Sequence, residues 1–297
     1  MDILTHCTLC PRKCGANRTR GETGFCGSDA RIKIARAALH HWEEPCISGK
    51  NGSGTVFFSH CTLKCVYCQN YGISTQNHGK YISVRELADT FLDLQAQGAN
   101  NINLVTPTHY VPQIISALTL AKADGLTLPV VYNTGGYELP ETIDMLKGFV
   151  DVYLPDLKYF SDKYAVRYSA APDYFLTAFA AIRRMHEQVD ACTFDENGII
   201  RKGVIVRHLM LPGLLFDTKK ILDRLYACFG DGIYISIMSQ YTPLASLPGD
   251  FPELNRRIKR NYYDALVDYA ANLGITNAYV QNSESADESF IPDFFGG

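Results

Sequence analysis

The chain has no surplus of positive charge: 28 Lys and Arg stand against 31 Asp and Glu, for a net charge of −3. That balance excludes broad electrostatic capture of nucleic acid or of an anionic membrane surface. No apolar run approaches the length of a membrane span. The first residues, Met1-Asp2-Ile3-Leu4-Thr5-His6-Cys7, lack the basic and apolar stretches of a signal peptide. A phosphate cradle is missing too. Residues 49–54 (Gly-Lys-Asn-Gly-Ser-Gly) are glycine-rich, but no Gly-Lys-Ser/Thr follows, so they read as a flexible turn. Apolar residues, by contrast, make up 46% of the 297 positions against 20% charged. That suffices for one large soluble α/β domain with a small appendage. Such a chain is expected in the cytoplasm, where thiols stay reduced.

Ten cysteines in a reducing compartment need a reason, and eight of them lie within the first 68 residues. The clustering points to metal sites rather than disulfides. The sharpest group is Ser59-His60-Cys61-Thr62-Leu63-Lys64-Cys65-Val66-Tyr67-Cys68-Gln69-Asn70, with the spacing C-x3-C-x2-C. The apolar run Thr55-Val56-Phe57-Phe58 leads in, so a strand ends in a loop carrying three thiols. Iron–sulfur clusters normally take four thiolates. Three would leave one metal position open, and an open position is where chemistry happens. Taken alone, the three residues also allow structural thiols or a zinc knuckle.

A second group, Cys7, Cys10, Cys14 and Cys26, has the spacing C-x2-C-x3-C-x11-C and carries Gly15, Gly21, Gly24 and Gly27 among its loops. Four thiols allow a closed site, either tetrahedral zinc or a four-thiolate iron–sulfur cluster. Softness does not choose between the two, and a redox pair or a metal-free loop stays open. Arg12, Lys13, Arg18 and Arg20 in this segment balance thiolate charge, meet an acidic partner or simply face solvent. His40, His41 and Trp42 line a site or pack, and Cys46 receives no ligand role.

Downstream, strand and helix signals alternate. Residues 31–40 begin like a strand. Ser83-Val84-Arg85-Glu86 is a capping box, opening a helix with Leu87, Phe91 and Leu94 at helical spacing that ends near Gly98. Strands are expected at 101–105, 128–132, 150–154, 202–209, 232–238 and 278–280. Helices are expected at 112–123, 141–148, 173–188 and 218–229, with a long last one at 252–273. Asn133-Thr134-Gly135-Gly136 reads as a turn. The alternation means parallel strands with helices outside. About six units give an α/β fold, a partial (β/α)6 TIM-like barrel with a small Cys-rich N-terminal extension. The expected division is 1–30, 31–250 and a C-terminal helix and tail, 251–297. In such sheets the chemistry sits at the C-terminal strand ends. The residues there are Cys61, Thr106, Thr108, Asn133, Thr134, Asp156, Lys158, Arg207 and Gln240. The polarity of loops accounts for about half of them taken singly, but less well for an acid and a lysine directly after Val-Tyr-Leu-Pro.

The stretch around Cys61, Cys65, Tyr67 and Cys68 resembles the C-x3-C-x(aromatic)-C signature of radical S-adenosylmethionine (SAM) enzymes. Within that superfamily it looks most like the activating enzymes of pyruvate formate-lyase and their relatives. The resemblance in motif order covers residues 55–245, and the opening at 7–27 is similar to that of relatives carrying an extra cysteine segment. Asn133-Thr134-Gly135-Gly136 looks like the family's D-T-N-G, Asp156-Leu157-Lys158 like its D-L-K, and Arg207 with Leu211-Pro212-Gly213 like its I-R-x-x-x-x-P-G. The resemblance implies that Cys61, Cys65 and Cys68 hold a [4Fe–4S] cluster whose open iron binds SAM. One-electron cleavage of SAM then gives a 5′-deoxyadenosyl radical that abstracts hydrogen.

It further implies cofactor-binding roles for Tyr67, Asn70, Thr106, Thr108, Asn133, Thr134, Asp156, Lys158, Arg207 and Gln240. Thr134 and Asp156 fall to the shell of SAM or a monovalent cation, and Lys158 and Arg207 to SAM or substrate. The implied partners are SAM, an electron donor such as flavodoxin or ferredoxin, and a protein or peptide substrate, with no nucleic acid and no membrane. There are departures. Val105-Thr106-Pro107-Thr108 stands where the family has G-G-E, Asn133 replaces an aspartate, and Tyr241 replaces a histidine. These departures and the extra cysteines leave room for a different peptide or small-molecule substrate, or for a non-catalytic iron–sulfur or zinc protein. The tail from Gln281 to Phe294 is expected to cap the barrel mouth.

Overall fold

The computed structural model describes residues 3–244 and 249–280; the tail assigned to the barrel mouth lies outside the described residues. Ten strands and nine α-helices are present among these residues. The strands are β1 (Ile32–His40), β2 (Ser53–Phe58), β3 (Lys80–Ile82), β4 (Ile102–Val105), β5 (Val130–Thr134), β6 (Val152–Pro155), β7 (Thr193–Phe194), β8 (Ile200–Leu209), β9 (Tyr234–Met238) and β10 (Ala278–Val280). The helices are α1 (Pro45–Ser48), α2 (Tyr71–Ser74), α3 (Val84–Ala96), α4 (Val111–Ala123), α5 (Pro140–Met145), α6 (Asp162–Ser169), α7 (Tyr174–Val189), α8 (Leu215–Phe229) and α9 (Arg260–Leu273). No helix among them is long and apolar enough to cross a membrane.

One sheet organises the chain, in the order β10-β9-β8-β6-β5-β4-β2-β1-β3. From β2 through β10 every neighbouring pair is parallel. The expected six-stranded parallel core runs from β2 to β9, and β10 of the C-terminal segment adds a seventh strand to it. At the other edge β1 pairs antiparallel with β2 and β3 antiparallel with β1. The central strands β2, β4, β5 and β6 are buried at every position, as strands covered on both faces must be.

Side chains alternate across a strand, and here the alternation separates two cores. Leu104, Tyr132, Tyr153 and Val204 pack outward against the helices. Val131, Val152, Leu154 and Ile205 pack inward around Cys46 and Ile47 of α1. The β1–β2 connection therefore fills the interior of an open barrel from below, which gives Cys46 a packing role. Continued upward, the same parity points Asn133, Asp156 and Arg207 inward above this apolar layer.

The capping box holds: the Ser83 hydroxyl accepts from the Glu86 amide, and the Glu86 side chain accepts from the Ser83 amide. Three expectations change. Asn133 and Thr134 finish β5 rather than open a turn, because Asn133 stays in register with Val105 and Thr134 with Pro155. The long last helix is broken into a 3-10 turn, Pro252–Leu254, and α9, with Lys259 extended between them. Buried Leu254 anchors the break, its carbonyl accepting from the Tyr241 hydroxyl at 2.7 Å. Finally, α6 was not foreseen; it ends at Ala170 in the left-handed region just before Ala171-Pro172.

The turn after β5 depends on Gly136. Its φ is 80°, and a Cβ there would stand 2.0 Å from the Asp156 carbonyl oxygen. Gly136→Ala should therefore lower the unfolding free energy by more than about 2 kcal/mol. Ser83→Ala should cost only about 1 kcal/mol. Urea unfolding of both variants checks the ranking; an equal effect would contradict the close approach of β5 and β6.

Candidate active site

At the end of β2 the chain turns sharply. His60 takes a φ of 75°, its amide donates to the Ile73 carbonyl at 2.9 Å, and the Ser59 hydroxyl donates to the His78 carbonyl at 2.6 Å. The cysteine loop then leans on the end of α6. The Lys64 amide donates to the Ser169 carbonyl at 3.1 Å and the Val66 amide to the Tyr168 carbonyl at 2.9 Å. The Ser169 hydroxyl donates to Cys65 Sγ at 3.0 Å. The Leu63 amide reaches Cys61 Sγ at 3.4 Å, and Cys68 Sγ and Ser74 Oγ stand 3.3 Å apart. A relay of hydroxyls, Tyr67 to Tyr159 at 2.6 Å and Tyr159 to Ser169 at 2.7 Å, fixes the aromatic of the motif behind the sulfurs. Burial pushes the Cys61 thiol up to about 12 and the Cys65 thiol up to about 11, the latter against the pull of Lys158.

Beside this loop lies a cavity of about 260 Å³. Cys65, Tyr67, Cys68 and Asn70 line it together with Asn133, Asp156, Lys158, Arg207 and Gln240. Nine of the residues singled out from the sequence thus share one space, and Cys61 is part of the same loop. The centre of its polar wall is Arg207. Its Nε donates to Asp156 Oδ1 at 3.1 Å, Nη1 to Glu43 Oε2 at 3.0 Å and Nη2 to Asn133 Oδ1 at 2.5 Å. Lys158 Nζ donates to the other Asp156 oxygen at 2.5 Å. Burial opposes ionisation of Asp156, but Lys158 and Arg207 together hold its carboxyl below the ordinary value. Glu43 also accepts from Asn133 Nδ2 at 3.2 Å and Asn103 Nδ2 at 3.3 Å. Tyr241, in the place of a family histidine, meets the Tyr67 ring edge-to-face at 6.1 Å.

Three expected residues do not join this space. Thr134 has the opposite parity to Asn133, so its hydroxyl points to the helix side and donates to Glu138. Thr108, in the turn after β4, donates to the same Glu138 oxygen at 2.5 Å. Thr106 takes a left-handed φ of 59°, its amide donates to the Asn133 carbonyl at 2.8 Å, and its side chain does not line the cavity. Sequence reasoning missed Glu43, Glu138, Tyr159 and Ser169. Only Glu138 carried a signal, an acid directly after Gly135-Gly136-Tyr137; Glu43 carried none.

The fit to an iron–sulfur cluster rests on the donor chemistry. Three soft thiols sit on one short loop beside a polar cavity. Burial disfavours a bare thiolate at Cys61 and at Cys65, and a metal offsets that cost. Among the described residues, no three His, Cys, Asp or Glu side chains are placed around a single metal ion. The N-terminal segment touches this loop, with Arg12 Nε donating to the Thr62 carbonyl at 3.1 Å.

Comparison with known proteins agrees with this geometry. The radical SAM superfamily model matches residues 55–225, and the chain belongs to that superfamily. Membership implies an enzyme that uses a [4Fe–4S] cluster and SAM. An uncharacterised protein of Methanocaldococcus jannaschii is 30% identical over 291 residues, which span 94% of this chain and 78% of that one. Among solved structures, the FeFe-hydrogenase maturase HydG from Carboxydothermus hydrogenoformans aligns at a TM-score of 0.53 and 15% identity, over 78% of this chain and 54% of its own. Methylornithine synthase (PylB) aligns at 0.52 and 14%, over 74% of this chain and 60% of its own. At such identities these likenesses show the fold.

Glu138 gives this region a pH signature. Burial raises its carboxyl from 4.5 to about 7, against hydrogen bonds from Thr108, Thr134 and Tyr132 that pull it down. The folded chain therefore keeps this proton to higher pH than the unfolded chain. The stabilisation is full below about pH 4.5 and is lost as pH rises through 7, on the order of 3 kcal/mol in all. Glu138→Gln keeps the one oxygen that accepts from Thr108 and Thr134, gives up only the long 3.5 Å bond from Tyr132, and should flatten that part of the profile. Urea unfolding of the anaerobic protein at pH 5 and pH 8 checks it; an unchanged slope in the variant would show that Glu138 ionises normally.

Proposed function

We propose that this chain cleaves SAM reductively at a [4Fe–4S] cluster held by Cys61, Cys65 and Cys68. The radical then takes hydrogen from a protein partner, in the manner of the activating enzymes of glycyl-radical enzymes. The observation that carries the reading is the single cavity in which Cys65 and Cys68 meet Asn133, Asp156, Lys158, Arg207 and Gln240. When bound, the cluster would supply the one electron that splits SAM into methionine and the 5′-deoxyadenosyl radical.

The chain's own residues bind, orient and shield. Lys158 and Arg207 attract the SAM carboxylate. Asp156, kept ionised between them, and Gln240 accept from ribose hydroxyls. Asn70 and Tyr67 hold the loop side of the cofactor. Val105, Leu209, Met238 and Tyr241 also line the cavity and keep water from the radical. In this reading the positive charge beside Asp156 and Asn133 is the Arg207 guanidinium, which takes the place of the monovalent cation. The enzyme is then a cytoplasmic oxidoreductase drawing electrons from a flavodoxin or ferredoxin. A second reading, hydrogen abstraction from a different peptide or a small molecule, is favoured by the missing carboxylate after β4, where Thr108 turns away to Glu138.

The test is anaerobic incubation of the reconstituted protein with SAM and dithionite. 5′-Deoxyadenosine should form, and Cys61→Ala, Cys65→Ala or Cys68→Ala should each lower its rate by at least about 100-fold, since each removes a ligand of the cluster. An intact cluster that yields no 5′-deoxyadenosine would sink both readings. A stable glycyl radical on an added glycyl-radical enzyme, seen by electron paramagnetic resonance, selects the first; 5′-deoxyadenosine without it selects the second.

A further inference from the structure

We propose that Cys7, Cys10, Cys14 and Cys26 hold a second iron–sulfur cluster, placed to pass electrons to the site at Cys61, Cys65 and Cys68. The backbone gathers the four. The loop from Cys7 closes on itself, with the Gly15 amide donating to the Cys7 carbonyl at 3.0 Å and the Lys13 amide to the Cys10 carbonyl at 3.0 Å. Cys14 Sγ lies against Gly24, where an added Cβ would stand 2.2 Å from the sulfur. Only a bare glycine lets that sulfur come so close to the strand of chain leading to Cys26. The Gly27 amide donates to the Gly24 carbonyl at 3.0 Å, a tight turn around Cys26. Cys10 lies within electrostatic range of Cys7 and Cys26, and Cys26 within range of Cys7 and Cys14. Cys7, Cys10 and Cys26 are buried and Cys14 is exposed.

The charge balance asks for an anion at this place. Arg18 is only 1% exposed. Its guanidinium donates to the Asp29 carbonyl at 2.6 Å, the His109 carbonyl at 2.6 Å and the Ser28 hydroxyl at 3.1 Å. The Asp29 carboxylate feels the charge of Arg18 as well, but its direct partner is Arg31 at 2.6 Å. The remaining direction of Arg18 is toward sulfur, with Nη1 3.9 Å from Cys7 Sγ. A buried guanidinium bonded to neutral groups is costly. Four metal-bound thiolates supply the negative charge that offsets it, and an N–H aimed at a ligand sulfur tunes a cluster's potential.

Position favours a cluster over zinc, because the two cysteine sets meet. Arg12, two residues after Cys10, donates to the Thr62 carbonyl at 3.1 Å and interacts electrostatically with both Cys10 and Cys61. It stacks on Phe25 at 3.7 Å, the residue before Cys26. A closed, four-thiolate cluster there accepts one electron from a ferredoxin or flavodoxin and gives it to the cluster on the Cys61 loop, with no bond made or broken.

The relay rests on the proposed SAM chemistry; the second cluster does not, and the experiment separates them. Iron, acid-labile sulfide and zinc are counted in the anaerobically reconstituted full chain and in the Cys61→Ala/Cys65→Ala/Cys68→Ala variant. The variant should keep about four irons and four sulfides per chain, with a four-iron Mössbauer spectrum. One zinc and no iron, or no metal in a folded variant, overturns the second cluster. Cys26→Ser should in turn keep the iron at the Cys61 loop, which guards against misfolding of the first variant. In Cys26→Ser, formation of 5′-deoxyadenosine driven by ferredoxin or flavodoxin should fall by an order of magnitude while dithionite-driven formation persists, because only the relay cluster is lost. An unchanged ferredoxin- and flavodoxin-driven rate overturns the relay.

Discussion

The guanidinium of Arg207 is the constraint on which the site depends. It reaches from β8 to Asp156 at the end of β6, to Asn133 on β5 and to Glu43 on the segment that fills the barrel from below. Strands β6 and β8 share a short ladder, two paired positions and the Asp156–Arg207 bridge. Arg207 therefore adds side-chain bonds at the upper end of a seam whose backbone pairing ends there, with the Leu157 amide donating to the Arg207 carbonyl at 2.9 Å. A buried, bidentate-capable cation with two carboxylates is strong when complete and destabilising when one partner is removed. The geometry of the cavity is thus set as a unit rather than residue by residue.

Charge explains why this unit tolerates burial. Two cations, Arg207 and Lys158, face two carboxylates, Asp156 and Glu43. A third carboxyl, Glu44, is buried nearby, and burial raises it toward the neutral form against the pull of Arg207. The wall is polar yet close to neutral, and it stands above the apolar layer of Val131, Val152, Leu154 and Ile205. Ligands that enter such a space meet fixed dipoles and balanced charges. Little reorganisation is then required when charge moves, the condition under which a preorganised site acts on its ligand.

Much of this was legible in the sequence, for physical reasons that also mark where legibility stopped. The parallel core could be read because β-α alternation and apolar runs are local signals. The cavity residues Asn133, Asp156, Lys158, Arg207 and Gln240 could be read because chemistry follows strand C-termini. Thr134 was misplaced because one residue of strand register decides between barrel interior and helix face, and taking Asn133-Thr134 for a turn removed that register from view. Glu43 was invisible because it arrives from the opposite end of the barrel, through a connection whose path is set by packing of Cys46 and Ile47. Ser169 was invisible because it belongs to α6, a short helix whose partner, the cysteine loop, lies about a hundred residues earlier in the chain.

The loop and α6 show why the motif needs the rest of the chain. A run of three cysteines on a free loop has no reason to hold one conformation; ordering each residue costs roughly 1–2 kcal/mol of backbone entropy. Here the Lys64 and Val66 amides are tied to the end of α6, and the hydroxyl relay from Tyr67 through Tyr159 to Ser169 ends on Cys65. From the other side Arg12 is tied to the Thr62 carbonyl. The loop is therefore held between two segments, one on each side of it in sequence. The N-terminal contact couples any ordering of Cys7, Cys10, Cys14 and Cys26 to the loop that carries Cys61. That coupling gives the N-terminal segment a physical reason to stand beside the barrel mouth.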